Sequence, residues 1–258
     1  MARLTEDTFS RGLETARLLL TSPRFSTTLA AAIRRHGGVD RAIGALLKEF
    51  ELETSETPSQ QTAREIMGVD FHGIPEVERF FGEMTDSQRK QAEVIPEKIM
   101  ADVRAMTPEE RSKYILEYDT GISLLDVRAK ARKGLFYKQD WLKGEEFAKR
   151  TETARWRLIR KTPVDGSFSK NWIQQERLID SQIDEIPSTR QVVYTMILHF
   201  LATGERLFET CYVRTCDVDS NGLRVDVGGF DGVGLRVRIW LDSGPVGFLG
   251  LSAARKVS

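Results

Sequence analysis

Cysteine and histidine are scarce in this chain, and several chemistries are excluded with them. Two cysteines, Cys211 and Cys216, serve 258 residues. Their spacing fits neither a CxxC redox pair nor a zinc knuckle. On one strand an odd separation places them on opposite faces, which disfavours a disulfide, so both are read as free buried thiols. The three histidines, His36, His72 and His199, share no short metal-ligand spacing with one another or with a cysteine. Net charge is also absent, with 38 Lys and Arg against 38 Asp and Glu. A uniformly basic nucleic-acid coat is therefore excluded, and any polyanion binding must come from a local patch. No run approaches the roughly 20 apolar residues that span a bilayer. The apolar peak Leu18–Leu20 is flanked by Arg17 and Arg24 and has no small-residue cleavage site after it, so no leader is read there. The expectation is a cytoplasmic protein with no membrane contact.

Catalytic motifs are missing as well. The segment Gly228-Gly229-Phe230-Asp231-Gly232-Val233-Gly234 lacks the lysine and serine of a phosphate loop, and no helical pattern follows it. It reads as bends between strands. Ser167 and Ser252 stand in no nucleophile elbow. Nothing in the sequence points to an enzyme.

What the chain does have is an uneven distribution of charge. Residues 128–161 hold 12 Lys and Arg against 4 Asp and Glu, a local charge of +8, while residues 51–126 hold 8 against 17, a local charge of −9. Phe136, Tyr137, Trp141, Phe147 and Trp156 are threaded through the basic stretch. Lysine and arginine neutralise phosphates, and exposed aromatics stack on unpaired bases. Lys133, Tyr137, Lys138, Trp141, Lys143, Arg155, Arg157, Arg160 and Lys161 are the candidate nucleic-acid residues. The competing reading is assembly, with the aromatics buried and the cations facing carboxylates of the acidic block. That reading is favoured here, because the two blocks nearly cancel and large aromatics are usually at least partly buried. It makes the protein a non-catalytic binding or assembly module for a protein partner or a second copy. A nucleic-acid-binding accessory protein is the alternative.

Periodicity gives the fold class. Helical stripes recur over 5–50, and residues 51–62, polar and containing Pro58, read as a linker. Short acidic helices are expected over 74–112, with Thr107-Pro108-Glu109-Glu110 as a helix start. Tyr114, Leu116 and Tyr118 alternate as in a strand, and 156–161 reads as another. The clearest helix is 188–203: Val192, Val193, Met196, Ile197, Phe200 and Leu201 share one wide apolar face, Ser188 opens it and Gly204 closes it. Strands follow near 207–216, 223–228, 233–241 and 247–251, with Asn221-Gly222 as a tight turn. The expected architecture is α+β, a helical N-terminal part and then a mainly antiparallel sheet packed by the 188–203 helix. Its expected domains are 1–62 and 63–258.

Asp217-Val218-Asp219-Ser220-Asn221-Gly222 matches the first half of a calcium loop, so Asp217, Asp219 and Asn221 are candidate ligands. The twelfth position is Gly228 instead of a bidentate glutamate, and strands replace the flanking helices. A hairpin turn with no cofactor is the simpler reading.

The stretch Phe200–Glu209, continuing through Tyr212-Val213-Arg214 and Asp217–Gly222, resembles a family of uncharacterised bacterial proteins from candidate phyla, as does the ending Leu249–Lys256. The resemblance runs from about Phe136 to the C-terminus. It implies a shared fold and adds no catalytic residue.

Overall fold

The structure is a computed structural model describing residues 56–256. The chain divides into two units, Met1–Ser55 and Glu56–Ser258, and every described residue belongs to the second. The helical stripes expected over 5–50, and His36, lie outside the described residues.

The expected linker ends earlier than its composition suggests. Pro58–Met67 is a helix, α1, whose Thr57 side chain accepts the Gln60 N–H while Pro58 occupies the first turn. Proline costs little there, because the amide hydrogen it lacks has no intrahelical partner. The expected boundary between 62 and 63 thus falls inside α1. After the short strand β1 (Phe71–His72) come four short helices, α2 (Ile74–Phe81), α3 (Asp86–Ala92), α4 (Glu97–Ala105) and α5 (Pro108–Arg111), as the acidic, proline-punctuated stretch predicts. Strand β2 (Tyr114–Asp119) and helix α6 (Leu124–Lys130) follow. Next come α7 (Glu146–Lys149), β3 (Arg155–Arg160), α8 (Trp172–Glu176), β4 (Asp184–Glu185) and the long helix α9 (Thr189–Thr203). The C-terminal third holds β5 (Tyr212–Val218), β6 (Arg224–Asp231), β7 (Gly234–Trp240), β8 (Leu249–Leu251) and β9 (Ala254–Arg255).

The fold is α+β with two mixed sheets. The first has the order β1-β2-β3-β9-β4, with β1 parallel to β2 and the other pairs antiparallel. The second has the order β7-β6-β5-β8, antiparallel except for β5 with β8. Helix α9 begins as its sequence specifies. Ser188 accepts the Gln191 N–H, the Gln191 side chain returns to the Ser188 backbone, and Gly204 ends the helix in the left-handed region. The helix contacts β1 and β2 of one sheet and β5 and β6 of the other. It is therefore buried on all sides from Thr189 to His199, where the sequence predicts one wide apolar face. Val192, Val193, Met196 and Ile197 are fully buried, whereas Phe200 and Leu201 at the last turn are only partly so.

Such burial forces polar positions on α9 to find partners inside. Arg190 sits in the first turn, where the helix dipole disfavours a cation. Its guanidinium donates to both oxygens of Asp119 at 2.8 and 2.5 Å and to Glu152 at 3.0 Å. Arg157 donates to the same two carboxylates at 2.7 Å each. Asp119 is fully buried. Burial pushes its carboxyl up, but Arg190 and then Arg157 outweigh that and hold it at about 2. Glu117 shares this face of β2 but forms no ion pair among the described residues, although Arg157 stands opposite it. One oxygen accepts the Thr195 hydroxyl, the other has no partner, and burial pushes the carboxyl up to about 8. β2 is thus buried on both faces, although its alternation reads as half-buried.

Candidate functional site

The fold splits the basic stretch in two. In its first half, Arg128 and Lys130 donate to the carbonyls of Gln139 and Phe81, both at 2.7 Å. Lys133, Lys138 and the neighbouring Arg132 are exposed. None of the three has an ion-pair partner among the described residues. Lys143 is exposed 3.4 Å from Asp140. Tyr137 and Trp141 are 44% and 37% exposed.

In its second half the cations are committed to the fold. Arg157 faces the interior, because β3 pairs with β2 in the register that sets Arg157 opposite Glu117. Arg155 lies 3.6 Å from Glu185, Arg160 3.3 Å from Asp165, and Lys161 binds Asp70 at 2.6 and 2.8 Å. Trp156 is buried against Phe71 with ring centroids 5.7 Å apart. The nine candidate nucleic-acid residues therefore do not share one face: Arg155, Arg157, Arg160 and Lys161 stand on the first sheet. The arrangement expected for assembly is met for Trp156, Arg157 and Lys161, and fails for Tyr137, Trp141, Lys133 and Lys138.

The exposed half is anchored to the second sheet. The Leu235 N–H donates to the Leu135 carbonyl at 2.8 Å, the Tyr137 N–H donates to the Leu235 carbonyl at 3.0 Å, and the Gln139 side-chain amide bonds both backbone groups of Val237 on the edge strand β7. Strand β7 alternates from Leu235 to Arg238, and the pattern breaks at the exposed Ile239. Leu235 and Val237 are buried, while Arg236, Arg238 and Trp240 point to the outer face. There the side chains stack in a row. Arg236 lies 5.1 Å from the Tyr137 ring centre. Arg238 lies 3.6 Å from Tyr212, and 5.4 Å from both Trp240 and Phe248. Phe248 meets Tyr212 and Trp240 edge-on, each at 6.1 Å. Gly229 makes the row continuous: its φ is +54°, and a Cβ there would collide with the Tyr212 hydroxyl and ring. Tyr137 and Phe248, at either end, are the most open rings.

On the same face three strands place Arg214, Asp226 and Arg238 in direct register. Arg214 is buried and donates to four groups, the carbonyls of Lys170, Leu241 and Gly244 and the Gln175 side chain. Asp226 accepts from Arg238 at 3.1 Å, and its second oxygen is buried without a partner. Burial pushes its carboxyl up to about 6 against the pull of Arg238 and Arg214. Arg236 pairs with Asp231 at 3.0 Å. The row itself is close to neutral, and the chain segment that carries Tyr137 adds the exposed, unpaired Arg132, Lys133 and Lys138.

A groove of about 460 Å³ adjoins the row at Arg238 and is lined by Trp141, Glu145, Asp219, Asn221 and Ile239 among others. It joins two sets of residues that the sequence offers separately, the aromatic Trp141 and the calcium-loop pair Asp219 and Asn221. The three calcium candidates do not converge. Asp217 accepts from Arg150 at 2.6 Å and from the Thr189 N–H at 2.7 Å, closing the start of α9. Asp219 accepts the N–H groups of Asn221 and Leu223 and so closes the hairpin turn. Among the described residues no group of three or more His, Cys, Asp or Glu is placed to hold a metal. Millimolar calcium should accordingly leave the melting temperature unchanged, since only a ligand that binds the native state raises it. An upward shift abolished by Asp217→Ala would overturn this.

The sequence offers Tyr137 and Trp141, but Arg236, Arg238, Trp240, Tyr212 and Phe248 are not among its candidates. The period-two pattern Leu235-Arg236-Val237-Arg238-Ile239-Trp240 is the signal that marks the first three of them. Tyr212 and Phe248 join only through strand pairing. No protein-family model, no characterised protein and no solved structure matches this chain.

Proposed function

We propose that this protein is a nucleic-acid-binding accessory protein that takes a single strand along the outer face of its second sheet. The observation that carries the reading is the row Tyr137, Arg236, Tyr212, Arg238, Trp240 and Phe248, half-buried along its middle and open at its two end rings, with the unpaired cations Arg132, Lys133 and Lys138 in the chain segment that carries Tyr137. Rings at the ends of the row offer flat faces to bases, and the cations of that segment suit a phosphate backbone. No part of this chemistry requires catalysis.

Fluorescence anisotropy with a labelled 12-nucleotide single strand tests it. Affinity should fall steeply with added salt, and Lys133→Ala with Lys138→Ala should reduce the slope of log K against log salt by about 1–2. Tyr137→Ala should cost about 1–3 kcal/mol, the usual worth of one base–aromatic stack. Absence of binding at low salt would remove the proposal. Binding should also tighten as the pH falls through about 6, because protonation of Asp226 removes a negative charge on the same face. Asp226→Asn should bind as tightly at pH 7 as the parent does at pH 5.

A second reading, assembly through a second copy, rests on a different observation. Ile239 and Leu241 on and after the edge strand β7 are 36% and 60% exposed beside the Trp141 groove. Exposed apolar edges invite pairing. Concentration-dependent sedimentation that Ile239→Lys suppresses would favour this reading over the first.

A further inference from the structure

We infer that His72, His199 and Glu205 form a one-proton switch that ties β1 to the C-terminal end of α9. His72 Nε2 lies 3.0 Å from His199 Nδ1, and His199 Nε2 lies 3.0 Å from a Glu205 carboxylate oxygen. Both rings are buried, whereas the Glu205 side chain is about half exposed. His72 Nδ1 is buried and has no hydrogen-bond partner.

These contacts fix the protons. An ionised Glu205 has none to donate, so the shared proton sits on His199 Nε2. A neutral imidazole carries one N–H, which leaves His199 Nδ1 bare and able to accept from His72 Nε2–H. His72 Nδ1 is then bare too, in keeping with its missing partner. One added proton from water changes the order without breaking the chain. It binds His72 Nδ1, the one bare ring nitrogen without a partner, and the His72 Nε2 proton crosses to His199 Nδ1. One N–H bond forms on His72 and one moves from His72 to His199. The charge ends on His199 beside Glu205, and His72 has exchanged one tautomer for the other.

A second proton would place two cations 3.0 Å apart. Burial is the largest influence against charge on either ring; Arg64 from α1 and Lys161 after β3 also oppose charge on His72, while Glu205 and Asp70 favour charge on His199 and Lys161 opposes it. The rings should therefore titrate as one unit, taking a single proton below the ordinary histidine range. The hydrogen bond from β1 to α9 survives that first proton and is lost with the second.

Long-range ¹⁵N–¹H spectra of the full chain across pH test this, with the His36 signals assigned by a His36→Gln variant. At pH 8 both buried rings should show the Nε2–H tautomer. On acidification one event should charge His199 and convert His72 to Nδ1–H. Glu205→Gln, a change at a half-exposed side chain, should lower that midpoint by about one pH unit, because the facing negative charge is gone. Two independent titrations, an unchanged His72 tautomer, or a midpoint indifferent to Glu205→Gln would each overturn the inference.

Discussion

Replacing Glu117 with glutamine should stabilise the protein by about 3–5 kcal/mol at pH 9 and by far less at pH 5. The side chain is completely buried and forms no ion pair; burial outweighs the pull of Arg157 and Arg190 and raises its carboxyl from 4.5 to about 8, a displacement worth roughly this much free energy. The sign follows from linkage. The folded state holds the proton more tightly than the unfolded chain, so this group's contribution is complete below pH 4.5 and is lost as the pH rises through 8. Glutamine keeps an acceptor for the Thr195 hydroxyl, now 2.5 Å from the carboxylate, and carries no charge at any pH. Denaturant unfolding of both proteins at pH 5 and pH 9 checks the claim. An equal difference at the two pH values would show that Glu117 is not the titrating group.

Asp119→Asn should act in the opposite direction and cost about 3–5 kcal/mol at pH 7, the usual penalty for removing one partner of a buried ion pair. Arg157 and Arg190, both buried, would keep only Glu152 between them. The pair is also a poor candidate for added stability in itself, since burying charges is costly. Adding Arg190→Met to Asp119→Asn should therefore recover part of the loss, a coupling that a double-mutant cycle reads directly. The Asp119 carboxyl is held at about 2, so its contribution is present above pH 3.8 and is lost as the pH falls through 2. The penalty of the asparagine variant should shrink over that same range. A penalty below about 1 kcal/mol at pH 7 would mean that the cluster is solvated.

Much of the architecture is legible along the chain. Helix α9 is written in its cap, its apolar positions and Gly204; the hairpin is written in Asn221-Gly222; and the proline-led helices before β2 are written in their first turns. These signals are local, because caps and turns satisfy backbone groups within a few residues of one another. Local signals also mark Tyr137 and Trp141 as site candidates, though not which cations accompany them. Only the tertiary structure decides that Arg157 turns inward while Lys133 and Lys138 stay in solvent, since the choice depends on strand register and on which side of β3 receives α9. Pairings across long separations are equally invisible in sequence. Arg190 meets Asp119 across 71 positions and His199 meets His72 across 127, because a buried polar group takes whatever partner the packing of distant elements brings within reach.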